Sequence, residues 1–196
     1  YLEALSKVKL FAFDKTGTLT RGQPVVMQHR SVDCATGEIC ADCDEVLALA
    51  SALERRSTHP LAGAVVRAAA ARGLDEKYAP AQNVTTLAGS GLRGEVDGGL
   101  VTIGQHTWFD ATYPHEDELC AWVGVAEAQG HTAMLVANNN QVRGFITAAD
   151  EVRPESAAVV AELKALGART ALLSGDNLTV AQAVGAQVGI DTVRAG

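Results

Sequence analysis

Residues 8–20 read VKLFAFDKTGTLT, a mostly apolar run that stops at Asp14 and gives way to a cluster of Gly and Thr. A short apolar run bounded by turn residues predicts a buried strand, with Asp14 at its carboxyl end. Open α/β sheets carry their chemistry at that end. The pattern returns late in the chain: residues 168–173 form a second apolar run, closed by Ser174-Gly175-Asp176-Asn177 and followed by helical apolar spacing over 178–188. Between the two, residues 153–166 predict an amphipathic helix opened by Pro154 in its first turn. The two ends of the chain are therefore expected to share one parallel sheet.

The middle of the chain has a different pattern. Residues 44–54 and 60–72 are alanine-rich helical segments meeting at Ser57-Thr58-His59-Pro60, where proline must begin a new element because it cannot continue the old one. Strand-like pieces follow at 84–87, 91–96, 100–103, 132–137 and 141–148. Asn138 to Asn140 predicts the turn of a hairpin between the last two, and residues 115–129 fit another helix. The expected architecture is an α/β host formed by residues 1–20 and 144–196. An α+β domain, an antiparallel sheet flanked by helices, is inserted over 21–143.

Composition narrows the function classes. A chain of 196 residues that is 47% hydrophobic can bury a core, and its net charge of −7 offers no broad cationic face to nucleic acid. No apolar run approaches the ~20 residues that span a bilayer. The mixed charges of the first turns are not those of a signal peptide, and the N-terminus reads as the cut end of something longer. Four cysteines are too few for a disulfide scaffold, so reduced thiols are expected. Cys40 and Cys43 form a C-x-x-C that supplies only two of the four ligands of a closed zinc site. With no His or second pair nearby in sequence, they read as small residues in a surface turn before a helix.

A carboxylate at a strand end can attack phosphorus when a cation and backbone N–H groups neutralise the phosphate, and Gly17 would let the backbone approach. Thr16 and Thr18 add small polar groups there. The string Asp14-Lys15-Thr16-Gly17-Thr18-Leu19-Thr20 resembles, residue for residue, the D-K-T-G-T-L-T signature of P-type ATPases, which sit within the haloacid dehalogenase superfamily. That resemblance implies a Rossmann-like phosphorylation domain in which Asp14 becomes the aspartyl phosphate, while its carboxylate and the Thr16 carbonyl hold Mg²⁺. Related phosphatases carry a second Asp where this chain has Thr16, so a longer-lived phosphoenzyme is implied. Ser174-Gly175-Asp176 resembles the T-G-D motif, whose hydroxyl binds the transferred phosphoryl group. Asp150-Glu151-Val152-Arg153-Pro154 resembles the D-x-x-R-P segment, with Arg153 serving nucleotide phosphates or an Asp at the domain junction.

The inserted segment extends the resemblance to the heavy-metal subclass. Ser57-Thr58-His59-Pro60-Leu61-Ala62 resembles its S-x-H-P-L-A motif, in which the histidine and a glutamate five residues earlier, here His59 and Glu54, contact the adenine end of ATP. Gly89-Ser90-Gly91-Leu92-Arg93-Gly94 is a G-x-G-x-x-G that leads into strand-like sequence, not the strand-turn-helix of a dinucleotide fold. It resembles the subclass's glycine loop, which implies nucleotide contacts at Gly89 and Gly91. Ile103-Gly104-Gln105 falls where the family often has I-G-N, keeping Gly104 and departing at Gln105.

The resemblance implies the ATP-binding, aspartyl-phosphate-forming cytoplasmic segment of an integral membrane pump that uses Mg²⁺ and exports copper, zinc, cadmium or cobalt. Implied partners are ATP and the rest of the pump: transmembrane helices, actuator domain and the remainder of the phosphorylation domain. The segment itself is expected to be monomeric. The family's later lysine and G-D-G-x-N-D segment have no counterpart before Gly196, so turnover by the segment alone is not expected. Two other readings compete. A stand-alone phosphatase with a cap domain fits Lys15-Thr16 poorly; a non-catalytic metal-binding regulatory module would rest on Cys40 and Cys43.

Overall fold

The computed structural model describes residues 8–34 and 38–195; the charged first turns of the sequence lie outside them. In chain order the elements are β1 (Leu10–Asp14), β2 (Val25–Ser31), α1 (Ala41–Glu54), α2 (Pro60–Ala71), β3 (Gln82–Leu87), β4 (Gly91–Val96), β5 (Gly99–Gln105), α3 (His106–Thr112), α4 (Asp117–Ala128), β6 (Thr132–Asn138), β7 (Gln141–Ala149), α5 (Ser156–Ala165), β8 (Arg169–Ser174), α6 (Leu178–Val188) and β9 (Thr192–Ala195). They form two units. The first contains residues 1–23, 127–132 and 150–196; the second contains 24–126 and 133–149.

In the first unit β1, β8 and β9 make a parallel three-stranded sheet in that order. Leu19, Leu172, Ala181 and Val188 are buried beside it, with Phe13 and Val193 packed against them. Asn177 starts α6 by accepting the Val180 N–H at 2.9 Å, and Gly189 ends it in the left-handed region at φ +78°. Both devices match the turn chemistry that the sequence carries.

The second unit is an antiparallel sheet in the order β2-β7-β6-β5-β4-β3 with helices on both faces. Alternation along β6 shows how: Met134 and Val136 join Leu47, Leu53 and Val65 of α1 and α2, while Ala133, Leu135 and Ala137 join Phe109, Leu119 and Val123 of α3 and α4. Both two-residue hairpin turns have positive φ at each residue, Asp97 and Gly98 between β4 and β5, Asn139 and Asn140 between β6 and β7. That backbone twist matches the strands it joins.

The sequence placed the return from the insertion at position 143, but β7 stays paired with β2 as far as Ala149↔Val25. The cut falls between Ala149 and Asp150. Three elements were not anticipated. β2 buries His29 and Ser31, so it shows no apolar alternation; α3 has seven residues and β9 four, too short for a period to register.

Candidate functional site

Parallel pairing of β1 with β8 sets Asp14 opposite Leu173, which puts Ser174 one residue beyond it at the same sheet end. After Asp14 the chain turns through Thr16 and Gly17, and the Thr20 N–H closes the turn on the Lys15 carbonyl at 3.1 Å. Gly17 has φ +78°, and a Cβ there would meet nothing within 4 Å. The glycine is therefore demanded by backbone conformation, and the open space beside it leaves room for the close approach expected from the sequence. Asp14, Thr16 and Thr18 are exposed, whereas Lys15 is buried.

Buried Lys15 places Nζ 2.5 Å from Asp176 Oδ2. The same oxygen accepts the Ser174 hydroxyl at 2.7 Å, and Oδ1 accepts that of Thr132 at 3.0 Å. Burial pushes the Asp176 carboxyl up, but the Lys15 charge and these three donors outweigh it and hold the group below its ordinary value. The carboxylate is thus ionised and fully engaged. Ser174 donates its proton to Asp176, so receiving a phosphoryl group through that hydroxyl requires its rotation. Gly175 is exposed and makes the turn between them. Thr132 carried no motif that sequence could have read.

The D-x-x-R-P segment fastens this loop. Asp150 Oδ2 lies 2.5 Å from the Thr20 hydroxyl and accepts the Gly22 N–H at 3.0 Å, while Oδ1 accepts the Gln23 N–H at 3.0 Å. Arg153 donates from Nε to the Thr20 carbonyl at 3.0 Å and from Nη2 to that of Gly17 at 3.4 Å. The guanidinium thus holds main-chain carbonyls of the loop, and its Nη1 lies 4.0 Å from the Glu155 carboxylate.

In the second unit Glu54 ends α1 and His59 precedes α2, and Ser57 links them. The His59 N–H donates to Ser57 Oγ at 3.2 Å, and the Ser57 hydroxyl stabilises the charged form of Glu54. Desolvation outweighs that help and raises the Glu54 carboxyl to about 7; its Oε2 is buried with no hydrogen-bond partner among the described residues. His59 is exposed, and its Nδ1 accepts the Leu61 N–H at 3.3 Å as a helix cap, so its proton resides on Nε2.

The glycines divide by role. Gly91 and Gly104 are paired directly across β4 and β5. A Cβ on Gly91 would lie 2.0 Å from the Ile103 carbonyl oxygen, and one on Gly104 2.5 Å from that of Ser90. The protein's own backbone excludes side chains at both positions. Gly89, at φ +69° in open space, is the one whose bare surface faces outward. Gln105 is exposed at the end of β5 and donates its N–H to the Ser90 carbonyl at 2.9 Å.

Cys40 precedes α1 and Cys43 lies buried in its first turn, so they are not a surface pair. Their sulfurs are 3.5 Å apart, and the buried Cys34 thiol completes a group of three within 4.8 Å. Burial pushes the Cys43 thiol up. Cys34 lies six residues before the C-x-x-C, and its convergence depends on β2, which the sequence did not reveal. No helix among the described residues is long and apolar enough to cross a membrane.

A family model described as haloacid dehalogenase-like hydrolase matches residues 8–195. The chain is 40% identical over 192 residues to the cation-transporting P-type ATPase B of Mycobacterium tuberculosis, covering 97% of this chain and 24% of that protein. It is 40% identical over 196 residues to the probable copper-exporting P-type ATPase V of the same organism, covering 99% and 24%. It therefore spans about a quarter of the length of these relatives. A crystal structure of a zinc-transporting PIB-type ATPase in the E2.Pi state superposes with a TM-score of 0.64 at 37% identity, covering 100% of this chain and 30% of that one.

Proposed function

Because this chain belongs to the haloacid dehalogenase-like hydrolase family, we propose that it is the ATP-binding, aspartyl-phosphate-forming cytoplasmic segment of a heavy-metal-transporting P-type ATPase. The observation that carries the reading is the placement of an exposed Asp14 carboxylate beside the Lys15–Asp176–Ser174 network, at the carboxyl end of two paired parallel strands. Similarity to relatives named as cation and copper transporters supports the pump and its cargo class of heavy-metal ions.

In the proposed reaction an Asp14 carboxylate oxygen attacks the γ-phosphorus of ATP, the bond to the bridging oxygen breaks, and ADP leaves as the acyl phosphate forms. The Asp14 carboxylate and Thr16 carbonyl are hard oxygen donors of the kind Mg²⁺ takes, and they would hold that ion, which neutralises phosphate charge. Lys15 sets a fixed positive charge beside the nucleophile, held in place by Asp176. Ser174 can turn its hydroxyl from Asp176 to a phosphoryl oxygen. Asp150 and Arg153 keep the loop in one shape, and catalysis of this type is largely positioning and electrostatics.

The nucleotide base is assigned to the Glu54–Ser57–His59 turn. Glu54 Oε2 is a buried acceptor in want of a donor, which the exocyclic amine of adenine would supply; the exposed His59 ring offers a face for stacking and an Nε2–H. Gly89, exposed and with open space around it, is assigned to a backbone contact with the ligand. In the intact pump, γ-labelled ATP should give a hydroxylamine-sensitive phosphoenzyme that Asp14→Asn abolishes. ADP should bind this chain by calorimetry, more weakly after His59→Ala and unchanged after Asp14→Asn. Normal labelling with Asn at position 14 would remove the central assignment.

A further inference from the structure

Four side chains outside every motif converge on the α3–α4 side of the second unit. His106 opens α3, Asp110 follows one turn later, His115 lies in the connector and Cys120 in the start of α4. Asp110 Oδ1 is 3.3 Å from His106 Nε2, 3.1 Å from His115 Nε2 and 3.7 Å from Cys120 Sγ, and Cys120 Sγ is 3.3 Å from His115 Nε2. All four ligand atoms lie within 4.8 Å of one another.

Those four separations are set against the six edges of a coordination tetrahedron, the other two of which, from His106 to His115 and to Cys120, lie within 4.8 Å. With bonds of ~2.0–2.1 Å to nitrogen and oxygen and ~2.3 Å to sulfur, a four-coordinate zinc centre has ligand-to-ligand edges of roughly 3.3–3.6 Å. The observed values of 3.1–3.7 Å straddle that range. The outer shell agrees: His115 Nδ1 is 2.6 Å from the Tyr113 carbonyl oxygen, which fixes its proton there and turns the Nε2 lone pair toward the cluster. Two neutral imidazoles, a carboxylate and a thiolate balance a dication. Both histidines are largely buried, while Asp110 is 45% exposed and leaves an entry path.

We propose that His106, Asp110, His115 and Cys120 form a closed site for a zinc-class divalent cation that staples α3 to α4 across residues 113–116. With four protein ligands and no open position, its role is structural and not catalytic. The site is independent of the Asp14 chemistry, and it lies on the sheet face opposite α1 and α2, which carry Glu54 and His59. Burial, and then the Asp110 charge, push the Cys120 thiol up; a bound cation would outweigh both and deprotonate it. Occupancy of the site would couple the stability of the nucleotide-reading unit to the supply of the metal.

The test uses the whole chain, stripped with chelator and then titrated with Co²⁺ as a spectroscopic probe and Zn²⁺ as competitor. The expected result is one equivalent of Co²⁺ with thiolate charge-transfer and tetrahedral d–d absorption, bleached by Zn²⁺. In parallel, Zn²⁺ at about ten times its Kd should slow alkylation of Cys120 about tenfold, read by peptide mass spectrometry. His106→Ala and His115→Ala should each abolish that protection, and the Cys40→Ser/Cys43→Ser double variant, which dismantles the other thiol group, should keep it. Cys120 alkylation at the same rate with and without Zn²⁺ in the unaltered chain would overturn the proposal, whatever the variants do. So would protection that vanishes in the Cys40→Ser/Cys43→Ser variant while persisting in the histidine variants.

Discussion

Glu54→Gln isolates the cost of one buried carboxylate. Glu54 is 6% exposed and its folded value of about 7 stands well above the ordinary 4.5, raised by desolvation. A raised acid holds its proton more tightly when folded, so its contribution is complete below about pH 4.5 and is lost as pH rises through about 7. The displacement from 4.5 to about 7, at ~1.36 kcal/mol per pH unit, amounts to about 3 kcal/mol. Glutamine keeps the shape and carries no charge to desolvate. Urea unfolding of both proteins at about pH 5 and about pH 8 should show the variant gaining about 2.5 kcal/mol on the parent across that interval, the rest of the difference being already present at the lower pH. Taking the difference between the two cancels the other titrating groups. A difference independent of pH would refute the reasoning. The same carboxylate links stability to ligand: if an adenine amine donates to Glu54, ADP binding must release a proton near pH 7, visible in calorimetry as a dependence on buffer ionisation enthalpy. The variant should show none.

Two further outcomes follow from geometry alone. Asp150→Ala removes the acceptor for the Thr20 hydroxyl and the Gly22 and Gln23 amides, and should lower stability of the first unit by about 2–4 kcal/mol in thermal unfolding; an unchanged Tm would show that the loop is held by other groups. Gly91→Ala drives a Cβ to 2.0 Å from the Ile103 carbonyl oxygen and should cost more than about 2 kcal/mol, whereas Gly89→Ala, strained only in φ, should cost about 1 kcal/mol. Equal effects at the two positions would contradict the β4–β5 register.

Two strands of the host sheet were readable because each carries a short apolar stretch that ends in turn residues: β1 and β8 needed no partner to be recognised, and α6 has both its caps in the local sequence. β2 was not, since its inward positions are His29 and Ser31, and the reason they face inward is the packing of α1, a tertiary fact. The same limit applied to sites. Asp14, Ser174 and His59 stood in motifs, whereas the pairing of Lys15 with Asp176 and the carbonyl-binding role of Arg153 depend on residues brought together from 133 or more positions apart. The α3–α4 group has regular spacing, but only a helix from His106 to Thr112 turns that spacing into convergence.

The pairing of Val25 with Ala149 also bears on how a protein of this build could arise. Partners in an antiparallel ladder have Cα atoms about 5 Å apart. The second unit therefore begins and ends at neighbouring points, and for the first unit the whole insertion closes a gap no wider than a tight turn would. Because closure entropy depends on the distance that must be bridged, the size of the inserted unit is almost invisible to its host. An ancestral loop between β1 and α5 could have been exchanged for a complete folded body in one genetic step, without widening the gap that loop had to bridge.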